Sequence, residues 1–234
     1  MGHKFCGNCG ALLTGAVPTQ KVPNHLALRL VESDGSDGEL IPLLQEETII
    51  GRDHGRVQLL KDTSVSPIHA FFTWRGDGLV VHDADSTNGT YLRVREPAIL
   101  AFGDIIHVGE QFLRFDAPED FGDLESGRPV YAGTPARAWR YRLTQLLPGD
   151  RAGSVHCALR ASMTIGRSGC DVNFPKDGYL SGEHCSIDRF ENRFRLCDNG
   201  SRNGSFLRLT QAVTLEAGDQ VLVGRQLIRI VSQT

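Results

Sequence analysis

Hydrophobic and polar positions alternate with a period of two along much of this chain. In "HLALRLV" (25–31), "ELIPLL" (39–44), "GLVVHD" (78–83) and "QFLRF" (111–115) the apolar side chains fall mainly on one face of an extended segment. Clusters of Gly, Asp, Asn and Pro interrupt these runs about every ten residues, the spacing of strands in a sandwich or barrel. "YRLTQLL" (141–147), "SVHCAL" (154–159), "FRLCD" (194–198), "QVLVG" (220–224) and "LIRIV" (227–231) carry the same signal through the second half. Little in either half could be helical, so the chain is predicted to be all-β.

The two halves are copies of one another. A shift of 115 places "IGRDHGRV" (50–57) on "IGRSGCDV" (165–172) and "SPIH" (66–69) on "SGEH" (181–184). It also places "DADSTNGTYLR" (83–93) on "DNGSRNGSFLR" (198–208), and "GDIIHVG" (103–109) on "GDQVLVG" (218–224). Residues 25–116 against 140–231 give 24 identities in 92 positions with no insertion or deletion. That is a tandem duplication. Residues 117–138, acidic and then rich in Pro and Gly, read as a flexible linker. The expected layout is a tail at 1–22, a domain at 23–116, the linker at 117–138 and a second domain at 139–234.

Composition narrows the function classes. Glycine, 26 of 234 residues, exceeds the usual share of about 7% and fits a turn-rich β architecture. The net charge of −3, with 23% charged residues, argues against a generic nucleic-acid or anionic-membrane binder. No apolar run approaches the ~20 residues of a membrane span, and "ALLTGAV" (11–17) is too short and polar-flanked for a secretory signal. Six cysteines in such a chain read as thiols or metal ligands before disulfides. The expectation is a soluble, cytoplasmic protein.

Identity under the shift is held mainly by polar turn residues: Gly-Arg, Ser-x-x-His, Asp, Ser-x-Asn-Gly and Gly-Asp. Apolar positions keep their character but change identity, as a sandwich core tolerates. Asn88-Gly89 fits a tight turn that needs positive φ and reads as a hairpin. A serine-hydrolase reading fails, because Ser66 and His69 on an extended strand would stand ~10 Å apart, and no Gly-x-Ser-x-Gly elbow occurs. Phosphate-binding Gly-rich loops and metal-binding His-Glu motifs are absent too, so no enzyme is expected. Anion binding fits better. Arg52 and Arg167 each end a predicted strand, and a guanidinium fork matches a pair of phosphate oxygens. Ser66 or Ser181 could donate to the same anion, and Asn88 or Asn203 could hold a second loop beside it.

In that order and spacing, "GR", "SPIH", "STNG" and "FGDIIHVG" resemble the forkhead-associated (FHA) domain, a phosphothreonine-binding module. The resemblance covers about four-fifths of the chain and implies two FHA-type β-sandwiches in tandem, gripping phosphopeptide with loops at one end. It places Arg52, Ser66, Thr87 and Asn88 in the first binding site, and Arg167, Ser181, Arg202 and Asn203 in the second. It makes His69 and His184 structural braces of the loops. Pro67 removes one backbone donor beside the first site. Gly182 offers no side chain at the second, and Arg202, in place of Thr87, either adds a phosphate contact or blocks the threonine pocket.

The tail "MGHKFCGNCGALL" contains Cys6-x-x-Cys9 and resembles half of a bacterial zinc ribbon. A structural zinc takes four ligands; even with His3 the tail is one short. Three readings stand open: a zinc shared between two chains, which would make a homodimer; a remnant knuckle that holds no metal; and a redox pair. Cys157, Cys170, Cys185 and Cys197 are spaced as ordinary thiols. Thr14 and Thr19, in the tail, are candidates for phosphorylation and docking into an FHA pocket.

The resulting expectation is a non-enzymatic adaptor of bacterial type in Ser/Thr kinase signalling. Its two FHA modules would read phosphothreonine-containing partner proteins, and two sites on a flexible linker would favour doubly phosphorylated partners. The alternative is a structural scaffold whose FHA folds bind protein independently of phosphate.

Overall fold

The computed structural model describes residues 23, 25–116, 139–149 and 151–233. The Cys6–Cys9 knuckle with its three open readings, the tail threonines and the linker at 117–138 lie outside these residues. Among the described residues there is no helix, as the period-two pattern predicts. The first repeat supplies β1 (Leu26–Val31), β2 (Asp37–Pro42), β3 (Glu47–Gly51), β4 (Val57–Gln58), β5 (Ala70–Arg75), β6 (Gly78–Asp83), β7 (Thr90–Arg93), β8 (Ala98–Leu100), β9 (Ile105–Val108) and β10 (Gln111–Asp116). The second supplies β11 (Tyr141–Leu147), β12 (Arg151–Ala158), β13 (Ser162–Gly166), β14 (Val172–Asn173), β15 (Cys185–Phe190), β16 (Arg193–Asp198), β17 (Ser205–Arg208), β18 (Val213–Leu215), β19 (Gln220–Val223) and β20 (Gln226–Ser232). Equivalent strands of the two repeats are thus ten apart.

These strands form two β-sandwiches that share one long sheet. Its ten strands run β12-β11-β10-β9-β17-β7-β19-β20-β1-β2. Five-stranded sheets, β18-β6-β5-β3-β4 and β14-β13-β15-β16-β8, pack against its two halves. Each sandwich takes strands from both repeats, so the packed units differ from the segments 23–116 and 139–234. β18 of the second repeat pairs with β6 of the first (Thr214 with Val80), while β8 of the first pairs with β16 of the second (Ile99 with Arg195). β20 lies along β1 from Leu26–Ser232 to Val31–Leu227, and β10 lies along β11.

The cores repeat this exchange. The first contains Leu28, Ile50, Phe72 and Leu79 together with Leu215, Val221, Val223, Ile228 and Ile230 of the second repeat. The second contains Leu143, Ile165, Ile187 and Leu196 together with Leu100, Ile106, Val108, Leu113 and Phe115 of the first. Each buried aliphatic side chain contributes roughly 1.5–3 kcal/mol. Five exchanged residues therefore supply on the order of 10 kcal/mol, comparable to the whole stability of a domain. The exchange begins just after β7 and β17, where the chain runs on instead of turning back. There Val94 donates its N–H to Ser205 O at 2.8 Å, and Leu209 donates to Thr90 O at 2.8 Å, extending the antiparallel β7–β17 pair.

Candidate functional site

Two loops form each site. In the first repeat these are residues 52–69, between β3 and β5, and residues 84–89, between β6 and β7. Gly51 brings the first loop close, because a Cβ there would overlap the Pro67 carbonyl oxygen; Gly166 stands likewise against the Gly182 carbonyl. That contact explains the glycine of each Gly-Arg pair. Arg52 then donates its backbone N–H to Ser66 O at 2.9 Å, and Arg167 donates to Ser181 O at 2.8 Å.

The Asn88-Gly89 turn is not a hairpin. β6 lies in a five-stranded sheet and β7 in the ten-stranded one, so residues 84–89 arch from one layer to the other. Asp83 directs the arch by accepting hydrogen bonds from Ser86 N at 2.8 Å, Ser86 Oγ at 2.7 Å and Thr90 Oγ1 at 2.7 Å. Gly89 turns the chain at φ +83°, as the sequence requires. Asp198 does the same in the second repeat for Ser201 N, Ser201 Oγ and Ser205 Oγ. Burial alone would raise the pKa of Asp198, but the Ser205 and Ser201 bonds outweigh it and hold the carboxyl below its ordinary value.

His69 ties the loops together. Ser66 through His69 curl instead of extending, so Ser66 N–H reaches His69 Nδ1 at 2.9 Å. With Nδ1 accepting, the proton lies on Nε2, which donates to Gly89 O at 3.1 Å. His184 repeats both bonds, from Ser181 N at 3.1 Å and to Gly204 O at 3.0 Å. Both rings are fully buried. This closeness still makes no catalytic pair, because the histidine meets the serine's backbone N–H. The Ser66 hydroxyl instead accepts from Thr87 N at 3.0 Å, and Ser181 Oγ accepts from Arg202 N at 3.2 Å. Asn88 Nδ2 donates to Ser64 O and Asn203 Nδ2 to Tyr179 O, both at 2.7 Å, so each asparagine holds the neighbouring loop. All eight predicted binding residues and both histidines thus gather at two solvent-facing loop clusters.

Each cluster is also braced by the other repeat, which the sequence alone did not reveal. A Cβ on Gly89 would overlap the Arg208 side chain, and one on Gly204 would overlap Arg93. Asp62, on the loop carrying Ser66, accepts from Arg225 N at 2.6 Å; Asp177, on the loop carrying Ser181, accepts from Glu110 N at 2.8 Å. The signal was present: the pairs Gly89 and Gly204, Arg93 and Arg208, and Asp62 and Asp177 are each identical under the 115 shift. Among the described residues no group of three or more His, Cys, Asp or Glu could hold a metal ion.

Comparison with known proteins places this architecture. The FHA domain profile matches residues 48–109 and 163–224, one match in each repeat. The chain belongs to the FHA-domain family. It is 36% identical over 108 residues to the FHA domain-containing protein FhaB of Mycolicibacterium smegmatis, covering 44% of this chain and 70% of that protein. FhaB of Mycobacterium tuberculosis is 31% identical over 105 residues, covering 43% of this chain and 68% of its own. A solved structure described as an analysis of phosphothreonine-dependent FHA domain interactions aligns with 90% of this chain and 98% of its own. Its identity is 14% and its TM-score 0.34.

The two FHA sites differ in where their charges lie. Arg52 lies 3.6 Å from Asp53, and the hydrogen bond from His54 holds the Asp53 carboxyl below its ordinary pKa despite slight desolvation, with the His54 and Arg52 charges adding to the effect. Position 168 is serine, and the exposed Arg167 has no ion-pair partner among the described residues. Arg202 stands at the second tip, where the first has Thr87.

Proposed function

We propose that this FHA protein is a non-enzymatic adaptor that reads phosphothreonine on substrates of Ser/Thr kinases. One observation carries the reading. Both repeats build the same frame of Arg N to Ser O, Ser N to His Nδ1, His Nε2 to Gly O and tip N to Ser Oγ. That frame holds the backbone of an arginine, a serine hydroxyl and an arched tip together at a loop surface. A phosphorylated side chain brings about −1.5 to −2 charges and three acceptor oxygens. Charge-assisted hydrogen bonds contribute ~1.5–3 kcal/mol each, so three or four would support micromolar affinity, near −8 kcal/mol. Arg52 and Ser66, with Thr87 and Asn88 beside them, would hold one ligand; Arg167, Ser181, Arg202 and Asn203 would hold another.

Calorimetric titration with a degenerate phosphothreonine peptide library tests this, using phosphoserine and unphosphorylated controls. Wild type, Arg52→Ala, Arg167→Ala and the double variant are compared. Micromolar binding that needs the phosphate and disappears in step with the arginines is expected. Binding indifferent to both would replace the reading with a phosphate-independent scaffold.

A further inference from the structure

From the placement of the two FHA sites we infer that the chain bridges two separate phosphothreonine-bearing partners and cannot grip two phosphates on one short segment. The inference rests on the phosphothreonine reading above. Each tip runs directly into a strand of the long sheet: Ser86–Gly89 into β7, and Ser201–Gly204 into β17. β7 and β17 are antiparallel neighbours, paired Tyr91–Arg208, Leu92–Leu207 and Arg93–Phe206. Two loops that enter an antiparallel pair at its two strand starts lie at opposite ends of that pair. In this register Asn203 falls level with position 96, eight residues from Asn88. At ~3.3 Å per residue the tips are roughly 25 Å apart and directed away from each other.

The bonds that shape the sites also keep them apart. Arg208 packs on Gly89 and Arg93 on Gly204, so each tip rests on the strand that follows the other. Arg93 Nη1 donates to Gln220 Oε1 at 3.0 Å, and Arg95 pairs with Asp219 at 3.0 Å, both across the repeats. Tyr91, Phe206 and Leu222 form a buried cluster over the joint, with His107 stacked 4.3 Å from Phe112 beside it. Neither sandwich can swing to bring its site beside the other while its strands belong to both repeats. A peptide reaches at most ~3.6 Å per residue, so a four-residue spacer covers about 14 Å. Multivalent gain vanishes when a linker cannot span the sites. The surroundings differ as well. Exposed Leu60 and Ile68 stand on the loop of the first site, and exposed Tyr179 and Glu183 on that of the second. Two unlike neighbourhoods suit two different partners.

The test uses the full chain and three probes: a singly phosphorylated peptide, a doubly phosphorylated one with a four-residue spacer, and a doubly phosphorylated one with about forty Gly/Ser residues. The long spacer reaches roughly 35 Å. The single peptide is expected to fill two sites. The short double peptide should bind within about two-fold of the single one, and Arg167→Ala should leave its affinity at the first site unchanged. The long double peptide should bind at least ten-fold tighter and lose that gain with either arginine. Electron–electron resonance between nitroxides on two bound single peptides should give one narrow distance. A ten-fold gain with the short spacer, or a broad distance distribution, would overturn the geometry while leaving phosphothreonine binding intact. A single peptide that fills only one site would overturn the bridging role while leaving phosphothreonine binding intact, and one that binds at neither site would remove the reading with it.

Discussion

At the first site Arg52 shares its charge with Asp53, and Asp85 stands beside the tip; at the second, Ser168 and Gly200 replace both carboxylates and Arg202 adds a guanidinium. The site loops carry equal totals: Arg52, Arg56 and Lys61 with Asp53, Asp62 and Asp85 in the first, and Arg167, Lys176 and Arg202 with Asp171, Asp177 and Glu183 in the second. The difference lies in which residues flank the arginine and the tip. The backbone frame beneath is the same, bond for bond, because it is a buried packing solution that admits few substitutions. The charges above it are exposed and free to diverge. One frame thus carries two loop clusters whose charged groups are placed differently.

The frame itself is the largest target. His69→Ala or His184→Ala would leave a buried Ser N–H and Gly C=O without partners, at 1–3 kcal/mol each, plus a cavity. We expect about 4 kcal/mol of destabilisation in denaturant unfolding from either variant, and loss of phosphopeptide binding at its own site. Clearly unequal losses would break the equivalence of the frames.

Acid comes next. His107 of the first repeat corresponds to Leu222 of the second. Burial pushes the His107 pKa down to about 4, with His184 adding to the fall and Gly109 and Asp177 opposing it. The unfolded chain takes up this proton near 6.5 and the folded chain only near 4, so stability falls as pH drops through that window. The loss approaches about 3 kcal/mol below it. His107→Leu would copy the second repeat and remove this part of the acid sensitivity; unfolding midpoints from pH 7 to 4 that stay parallel to wild type would refute it.

Exchanging Thr87 and Arg202 is a smaller perturbation. Thr87→Arg should tighten the first site, and Arg202→Thr weaken the second, by about three- to ten-fold at low salt, with the difference shrinking as salt screens it. A second site strengthened by Arg202→Thr would mean that the arginine obstructs the pocket. Asp53→Ser, which gives the first site the second's residue, should tighten it by about two- to three-fold.

Strands and site residues were legible in the sequence for different reasons. Period-two alternation and punctuating turns announced an all-β chain, and polar identity under the 115 shift picked out Arg52, Ser66, His69 and Asn88. The exchange was not legible, because the repeats offer the same residues to the same partners. Leu100 and Leu215 are equivalent, so β6 could pair with either segment as far as side chains tell. What decides is the straight run after β7 and the joint built by Tyr91, Phe206 and Leu222, whose identities differ between repeats or carry no pairing code. The arch is not legible in the sequence for a related reason. Asn-Gly speaks to one residue's φ, while the direction of the turn is set by Asp83 collecting three hydrogen bonds.

Pairing β1 with β20 has a further consequence during synthesis. Leu26 meets Ser232, so the sheet edge laid down first finds its neighbour only after some two hundred more residues have been made. At roughly 5–20 residues per second that wait is about 10–40 s. Throughout it the apolar faces of β1, β3 and β5 lack the strands that cover them, while β8–β10 are held out for a sandwich still to be translated. Such distant pairings fold slowly. For this chain, the ribosome's pace belongs to the folding problem as much as the sequence does.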